Sequence, residues 1–157
     1  MDARPKAKRI IGIDYGMVRI GIAISDEQRI IATPLLTLTS EKRLEATVIK
    51  FVQEMQNHAK SYHYQIEEIV IGLPLMMSGK RGMLADEVLH FIELLKTHVD
   101  IPIKTWDERL TSVQAERSLR EGSLTRKRRA RIVDTVAATI ILQSYLDHLR
   151  FQKAAEG

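Results

Sequence analysis

Hydrophobic positions follow two different periods along this chain. In Ile10-Ile11-Gly12-Ile13-Asp14 and Arg19-Ile20-Gly21-Ile22-Ala23-Ile24-Ser25 they alternate, as in two strands joined by a short turn at Tyr15-Gly16-Met17-Val18. Side chains of a strand point to opposite faces in turn, so Ile11 and Ile13 share one face while Gly12 and Asp14 share the other. Pairing of Asp14 with Arg19 is expected, which sets Gly12 opposite Gly21 and Ile10 opposite Ala23. One face of this hairpin is then aliphatic, and the other is stripped of bulk around a lone carboxylate. A sheet gives up side chains where another backbone or a ligand must come close. The plainer reading is that Asp14 only starts a turn, which Asp and Gly both favour.

Further along, Ile30 to Leu38 reads as a third strand, bulged or at an edge because Pro34 interrupts it. The period then lengthens. Leu44, Val48, Phe51, Val52 and Met55 keep helical spacing from a Ser40 cap to about residue 59. A short strand, Ile66 to Ile71, ends at Gly72-Leu73-Pro74 and opens into the glycine-bearing loop 75–82. Leu84, Val88, Phe91, Ile92 and Leu95 mark a second amphipathic helix. Ile101 to Trp106 is a fifth strand, with Asp107-Glu108-Arg109 at its carboxyl end. Thr111 or Ser112 caps a short helix to about Arg120, and a last helix spans roughly Lys127 to Arg150. The order βββαβαβαα predicts one α/β domain, a five-stranded mixed sheet with an antiparallel opening and helices on both faces. Residues 1–9 read as a basic tail, 10–150 as the domain and 151–157 as a C-terminal tail.

Composition narrows the chemistry. At 157 residues the chain suits one domain with a proper core. The absence of cysteine excludes disulfides, thiolate metal sites and thiol nucleophiles, and suits a reducing cytoplasm. The basic start is not followed by an apolar stretch of secretory type, and nothing approaches a membrane span. The net charge of +4 is unevenly spread, since Arg117, Arg120, Arg126, Lys127, Arg128, Arg129 and Arg131 face only Glu116 and Glu121 between them. Such a local excess is a footprint for a polyanion, although most charge runs are merely solvated surface.

Carboxylates supply the other half. Asp14 ends the first strand and Asp107/Glu108 end the fifth, where open α/β sheets place their ligands. Asp134 shares a helix face with Ala137, Ala138 and Ile141, and two alanines let that face approach the glycine side of the hairpin. Helix and sheet, each thinned, would bring Asp134 to Asp14. Acids gathered in one pocket need compensation. Mg²⁺ provides it with oxygen ligands, and two such ions about 4 Å apart would activate a water and stabilise a leaving oxygen. Cations at 126–129 oppose the dipole of the last helix, a placement that a phosphate backbone would justify. Lys80 and Arg81 in the 72–82 loop extend that grip, with Arg19 and Arg109 beside the acids. The plainer alternatives are a helix carboxylate at Asp134 paired with an arginine, and simple capping at Asp107/Glu108 aided by Arg109. The five histidines show no ligand spacing, and Trp106 serves either as a base-stacking platform or as a core anchor.

At Asp14-Tyr15-Gly16 with Arg19-Ile20-Gly21, Gly72-Leu73-Pro74-Leu75, Asp107-Glu108-Arg109-Leu110-Thr111 and Val133-Asp134 with Ala137-Ala138, the chain resembles the YqgF family over residues 9 to about 146. That family is described both as Holliday-junction resolvases and as pre-16S rRNA nucleases. The resemblance implies an RNase H-like fold, a cytoplasmic bacterial protein and divalent-metal nuclease chemistry. Asp14, Glu108 and Asp134 match its catalytic acidic triad, with Asp107 a further metal-ligand candidate. Ser78 departs from the pattern, where family members often carry Asp before the loop glycine. The expected function is maturation of the 5′ end of pre-16S rRNA with Mg²⁺ or Mn²⁺, two ions in number, by a monomer or homodimer that binds structured nucleic acid and no membrane. Branched DNA is the second substrate class. A non-catalytic RNA-binding assembly factor is a third possibility, and a sugar-kinase-like phosphotransferase ranks below these because only one lobe is present.

Overall fold

The apolar run Ile10–Ile13 becomes the centre of a five-stranded sheet. A computed structural model of the chain describes residues 5–111 and 127–156, with the backbone alone for 127–133. The strands are β1 (Ala7–Asp14), β2 (Arg19–Ser25), β3 (Ala32–Thr39), β4 (Tyr64–Leu73) and β5 (Ile103–Asp107), in the spatial order β3-β2-β1-β4-β5. The β1–β2 and β2–β3 pairs are antiparallel, and β4 and β5 run parallel to β1. Helix α1 (Leu44–Ser61) links β3 to β4, and α2 (Met83–Lys96) links β4 to β5. A single 3-10 turn (Glu108–Leu110) follows β5, and α3 (Lys127–Glu156) closes the described chain. This is the expected mixed sheet. The short helix expected from residue 111 or 112 to about 120 lies outside the described residues.

Both faces are covered, which is why β1 is buried on both sides rather than alternating. One face carries Ile11, Ile13, Ile20, Ile22, Ile69 and Ile71 against Val48, Phe51 and Met55 of α1 and Val88, Phe91 and Leu95 of α2. Each such side chain contributes about 1.5–3 kcal/mol on full burial. The other face carries Ile10, Ala23 and Val70 against Ala137, Ala138, Ile141, Leu142 and Leu146 of α3. Among the described residues no helix is long and apolar enough to cross a membrane.

Two local expectations change. Asp14 pairs with Gly21, not Arg19, and Gly12 with Ala23. Arg19 and Ile20 pair instead with Thr39 and Leu38 of β3, beyond the end of β1. A slip of two residues leaves every side chain on the face predicted for it, so the aliphatic and thinned faces stand. Ser40 does not cap α1. Its N–H donates to the Val18 carbonyl at 2.8 Å and its hydroxyl to the Gly16 carbonyl at 3.2 Å, which ties the hairpin turn to β3. Arg43 is the N-cap residue, and it makes no side-chain cap bond. Pro34 does sit on an edge strand beside a bulge, where the β2–β3 register skips between Ile22 and Ala23.

Candidate active site

Three glycines, one from each of three neighbouring strands, face α3. A Cβ on Gly12 would lie 2.6 Å from Leu142 Cβ, and one on Gly21 would lie 2.1 Å from the Asp134 carbonyl oxygen. On Gly72 it would fall 2.5 Å from Ile141 Cδ1 and 2.6 Å from Glu108 Oε1. Real Cβ atoms do not approach that closely, so each glycine marks a contact that any side chain would break. The helix answers with its own small residues, Ala137 and Ala138, which are fully buried. As the sequence suggested, α3 docks on the glycine side of the hairpin. Its Asp134 backbone abuts Gly21, the register partner of Asp14.

The carboxylates Asp14, Glu108 and Asp134 are 1%, 0% and 2% exposed, whereas buried acids are rare unless something stabilises their charge. Asp134 accepts a hydrogen bond from Arg19 Nε at 2.8 Å, so the arginine-paired reading of this acid holds beside its place in the site. Glu108 turns back from the end of β5 over Gly72, whose register partner is Trp106. Its neighbour Asp107 goes the other way. Asp107 accepts from the Arg109 backbone N–H at 2.9 Å, capping the 3-10 turn, and pairs with the Arg109 guanidinium at 2.6 Å. The Arg109 hydrogen bond holds the Asp107 carboxyl below the usual carboxylate range. Of the adjacent acids, Glu108 is the one against the thinned face. The signal for this in the sequence is Gly72, which also lies at the end of its strand.

Among the described residues no three acids or histidines are grouped closely enough to hold a metal ion together. The donor set is nevertheless suited to a hard cation, because Mg²⁺ commonly takes one or two carboxylates and leaves its remaining positions to water and substrate phosphate. Around the mouth, the 75–82 loop folds as a small hairpin: Leu75 bridges Arg81, Met76 N–H donates to the Lys80 carbonyl, and Gly79 turns with φ 86°. Lys80 and Arg81 are exposed, Arg81 with Asp86 at 3.8 Å. A Cβ on Gly79 would come 3.4 Å from Arg109 Nη1, which places this loop beside the β5 end. Arg126 and the side chains of Lys127, Arg128, Arg129 and Arg131 lie outside the described residues. Trp106 packs on Tyr145 and His148 with centroids 5.9 and 5.4 Å apart, the anchor arrangement rather than an open platform.

A family model described as "RuvX: Holliday junction resolvase" matches residues 8–148. A "Putative pre-16S rRNA nuclease" of Protochlamydia amoebophila is 60% identical over 147 residues, covering 94% of this chain and 98% of that protein. One of the same description from Clostridium acetobutylicum is 42% identical, with 90% and 99% covered. Among solved structures, T. thermophilus RuvC in complex with a Holliday junction substrate aligns with a TM-score of 0.53 at 13% identity, over 88% of this chain and 93% of that one. The fowlpox virus Holliday junction resolvase aligns with a TM-score of 0.50 at 12% identity, over 89% and 99%. At such identities these structures show the shared fold alone.

Proposed function

We propose that this chain, which belongs to the RuvX family and is a nuclease acting on phosphodiester bonds, processes the 5′ end of pre-16S rRNA with divalent metal. The observation that carries the chemistry is the burial of Asp14, Glu108 and Asp134 at the carboxyl ends of β1 and β5 and on the helix docked across the thinned face. The relatives named for pre-16S rRNA favour RNA as substrate and the cytoplasm as the place of action.

In this reading Asp14, Glu108 and Asp134 hold Mg²⁺ or Mn²⁺, one or two ions. Bound there, the metal supplies an activated water and neutralises charge on the leaving oxygen. The chain's own residues do the positioning. Arg19 fixes the Asp134 carboxylate, and the Asp107–Arg109 pair clamps the turn that carries Glu108. Lys80, Arg81 and the basic residues 126–131 hold phosphates of a structured substrate. Asp107, engaged by Arg109, acts on the turn rather than on the metal.

The family description favours a second reading, resolution of branched DNA, which needs two active sites and therefore a symmetric dimer. The test is metal-dependent cleavage of a pre-16S leader RNA and of a four-way DNA junction, with Asp14→Asn protein and a chelator alongside. Cutting of the RNA that disappears in both controls supports rRNA processing. Symmetric cutting of the junction instead moves the protein to recombination. Salt-sensitive binding without cutting of either would leave a non-catalytic binding factor.

A further inference from the structure

Six of the twelve large hydrophobic side chains exposed among the described residues lie at one end of the sheet, around the buried carboxylates. Met17 and Val18 occupy the β1–β2 turn, Met76 and Met77 the hairpin after β4, Met83 the start of α2, and Leu110 the turn after β5. Single exposed hydrophobics need no explanation, but six of them at the end of the sheet that carries a site do. The strands that carry these turns are neighbours, about 4.8 Å apart in the sheet, so the turns stand side by side at one end of it.

Neither of the two principal turns is loosely held. The Met17-Val18 turn is tied to Ser40 through the Gly16 and Val18 carbonyls. The Met76-Met77 turn is closed by Met76 N–H to Lys80 O at 2.9 Å and Gly79 N–H to Met76 O at 2.8 Å. Met77, at its tip, is 83% exposed. The fold thus fixes apolar side chains in water, next to Lys80, Arg81 and Arg109. Protein interfaces are enriched in Met and Arg but depleted in lysine at their cores, whereas nucleic acid demands cations for its phosphates and accepts Met and Leu between its bases.

We propose that the Met76-Met77 turn, supported by Met17 and Val18, is an apolar wedge that unstacks bases of the bound nucleic acid beside the carboxylates. The substrate class is then a helix with a weak point, a stem end, internal loop or branch, rather than an unbroken duplex. Unstacking a base step is unfavourable, least so where pairing is already interrupted, so the wedge selects such places. The unbranched, polarisable methionine side chain adapts to any base face without reading sequence. This inference rests on the nucleic-acid reading of the site, but not on cleavage.

The test uses full-length Asp14→Asn protein with Mg²⁺ and an RNA stem carrying 2-aminopurine in the pair next to an internal loop. A several-fold rise in fluorescence is expected on binding, largely lost in the Met76→Ser/Met77→Ser variant while the salt dependence of binding stays the same. An equal rise in the variant overturns the proposal, as does binding without any rise, or no binding. So does a dimer of the parent protein that dissociates in the variant, since the turn would then be a contact between chains. Failure of the nuclease reading shows separately, as absent cleavage by the wild-type chain.

Discussion

The backbone of Gly21 lies against the backbone of Asp134, so close that a Cβ at Gly21 would sit 2.1 Å from the Asp134 carbonyl oxygen. Strand and helix meet here without an intervening side chain, and the contact sets how near the Asp134 carboxylate comes to the strand that ends in Asp14. Gly21→Ala must push α3 outward, because backbone cannot swing aside as a side-chain tip can. A loss of about 1–3 kcal/mol of stability is expected from such overpacking, together with a loss of cleavage larger than the unfolded fraction explains. Urea denaturation and single-turnover cleavage of the same preparation check both. Gly82→Ser is the control. Gly82 is the N-cap of α2 with no atom within 4 Å of its would-be Cβ, so a gain of about 0.5 kcal/mol is expected.

The adjacent acids Asp107 and Glu108 should behave as opposites. Glu108→Gln keeps the shape against Gly72 and removes the charge, so cleavage should fall at least about a hundredfold if the metal contributes several kcal/mol to the transition state. Asp107→Asn weakens the Arg109 clamp at a partly exposed position, where such pairs add little to stability. A loss of less than about tenfold in cleavage is expected. Equal, large losses in both variants would mean that Asp107 also reaches the reacting atoms.

Much of this arrangement was legible in the chain because strands and helices write their buried faces with fixed periods. Gly12, Gly21 and Asp14 fall on one face at any register that differs by two residues, so the thinned face survived a wrong pairing of Asp14 with Arg19. Ala137, Ala138 and Ile141 at their helical offsets from Asp134 showed which side of α3 would dock. What escaped was set by contacts between distant segments. Ser40 has the composition of a helix cap, yet two carbonyls of the hairpin turn claim it, and no local pattern shows that. The choice between Asp107 and Glu108 depended on Gly72, some thirty-five positions earlier, brought alongside by parallel pairing of β4 and β5. The exposed methionines look like core residues in the sequence, and only the fold shows that they are not.

Arg19 should matter to stability as well as to binding. Its Nε hydrogen bond to Asp134 joins a side chain 23% exposed to one 3% exposed. Removing one partner of a buried pair costs up to 3–5 kcal/mol, so at this half-buried position Arg19→Ala is expected to cost about 1–3 kcal/mol. Arg19→Lys restores the charge without the Nε geometry and should recover only part. In the Asp134→Asn background the Arg19→Ala penalty should shrink, and the double-mutant cycle from urea midpoints gives the coupling directly. Additive effects would mean that Arg19 serves the substrate phosphates alone.

The far end of the sheet carries a separate pH dependence. His58, near the end of α1, places Nδ1 2.7 Å from the Tyr64 hydroxyl at the start of β4, and its ring stacks on Tyr62 with centroids 4.4 Å apart. Burial, then the Arg9 charge, lowers the His58 pKa below the usual 6.5, while burial pushes the Tyr64 hydroxyl up to about 12. A histidine whose folded pKa is depressed binds its proton more readily when unfolded. Its contribution to stability is therefore complete above about pH 6.5 and is lost as pH falls from there toward the lower folded value. Tyr64 works in the opposite range, stabilising fully below the unfolded value near 10 and losing this as pH rises toward 12. Urea midpoints measured from pH 8 to pH 5 should fall less steeply for His58→Gln than for the wild-type chain, with the two curves diverging below pH 6.5. Parallel curves would show that His58 titrates alike in the folded and unfolded chain, and that its bond to Tyr64 does not depend on the neutral ring.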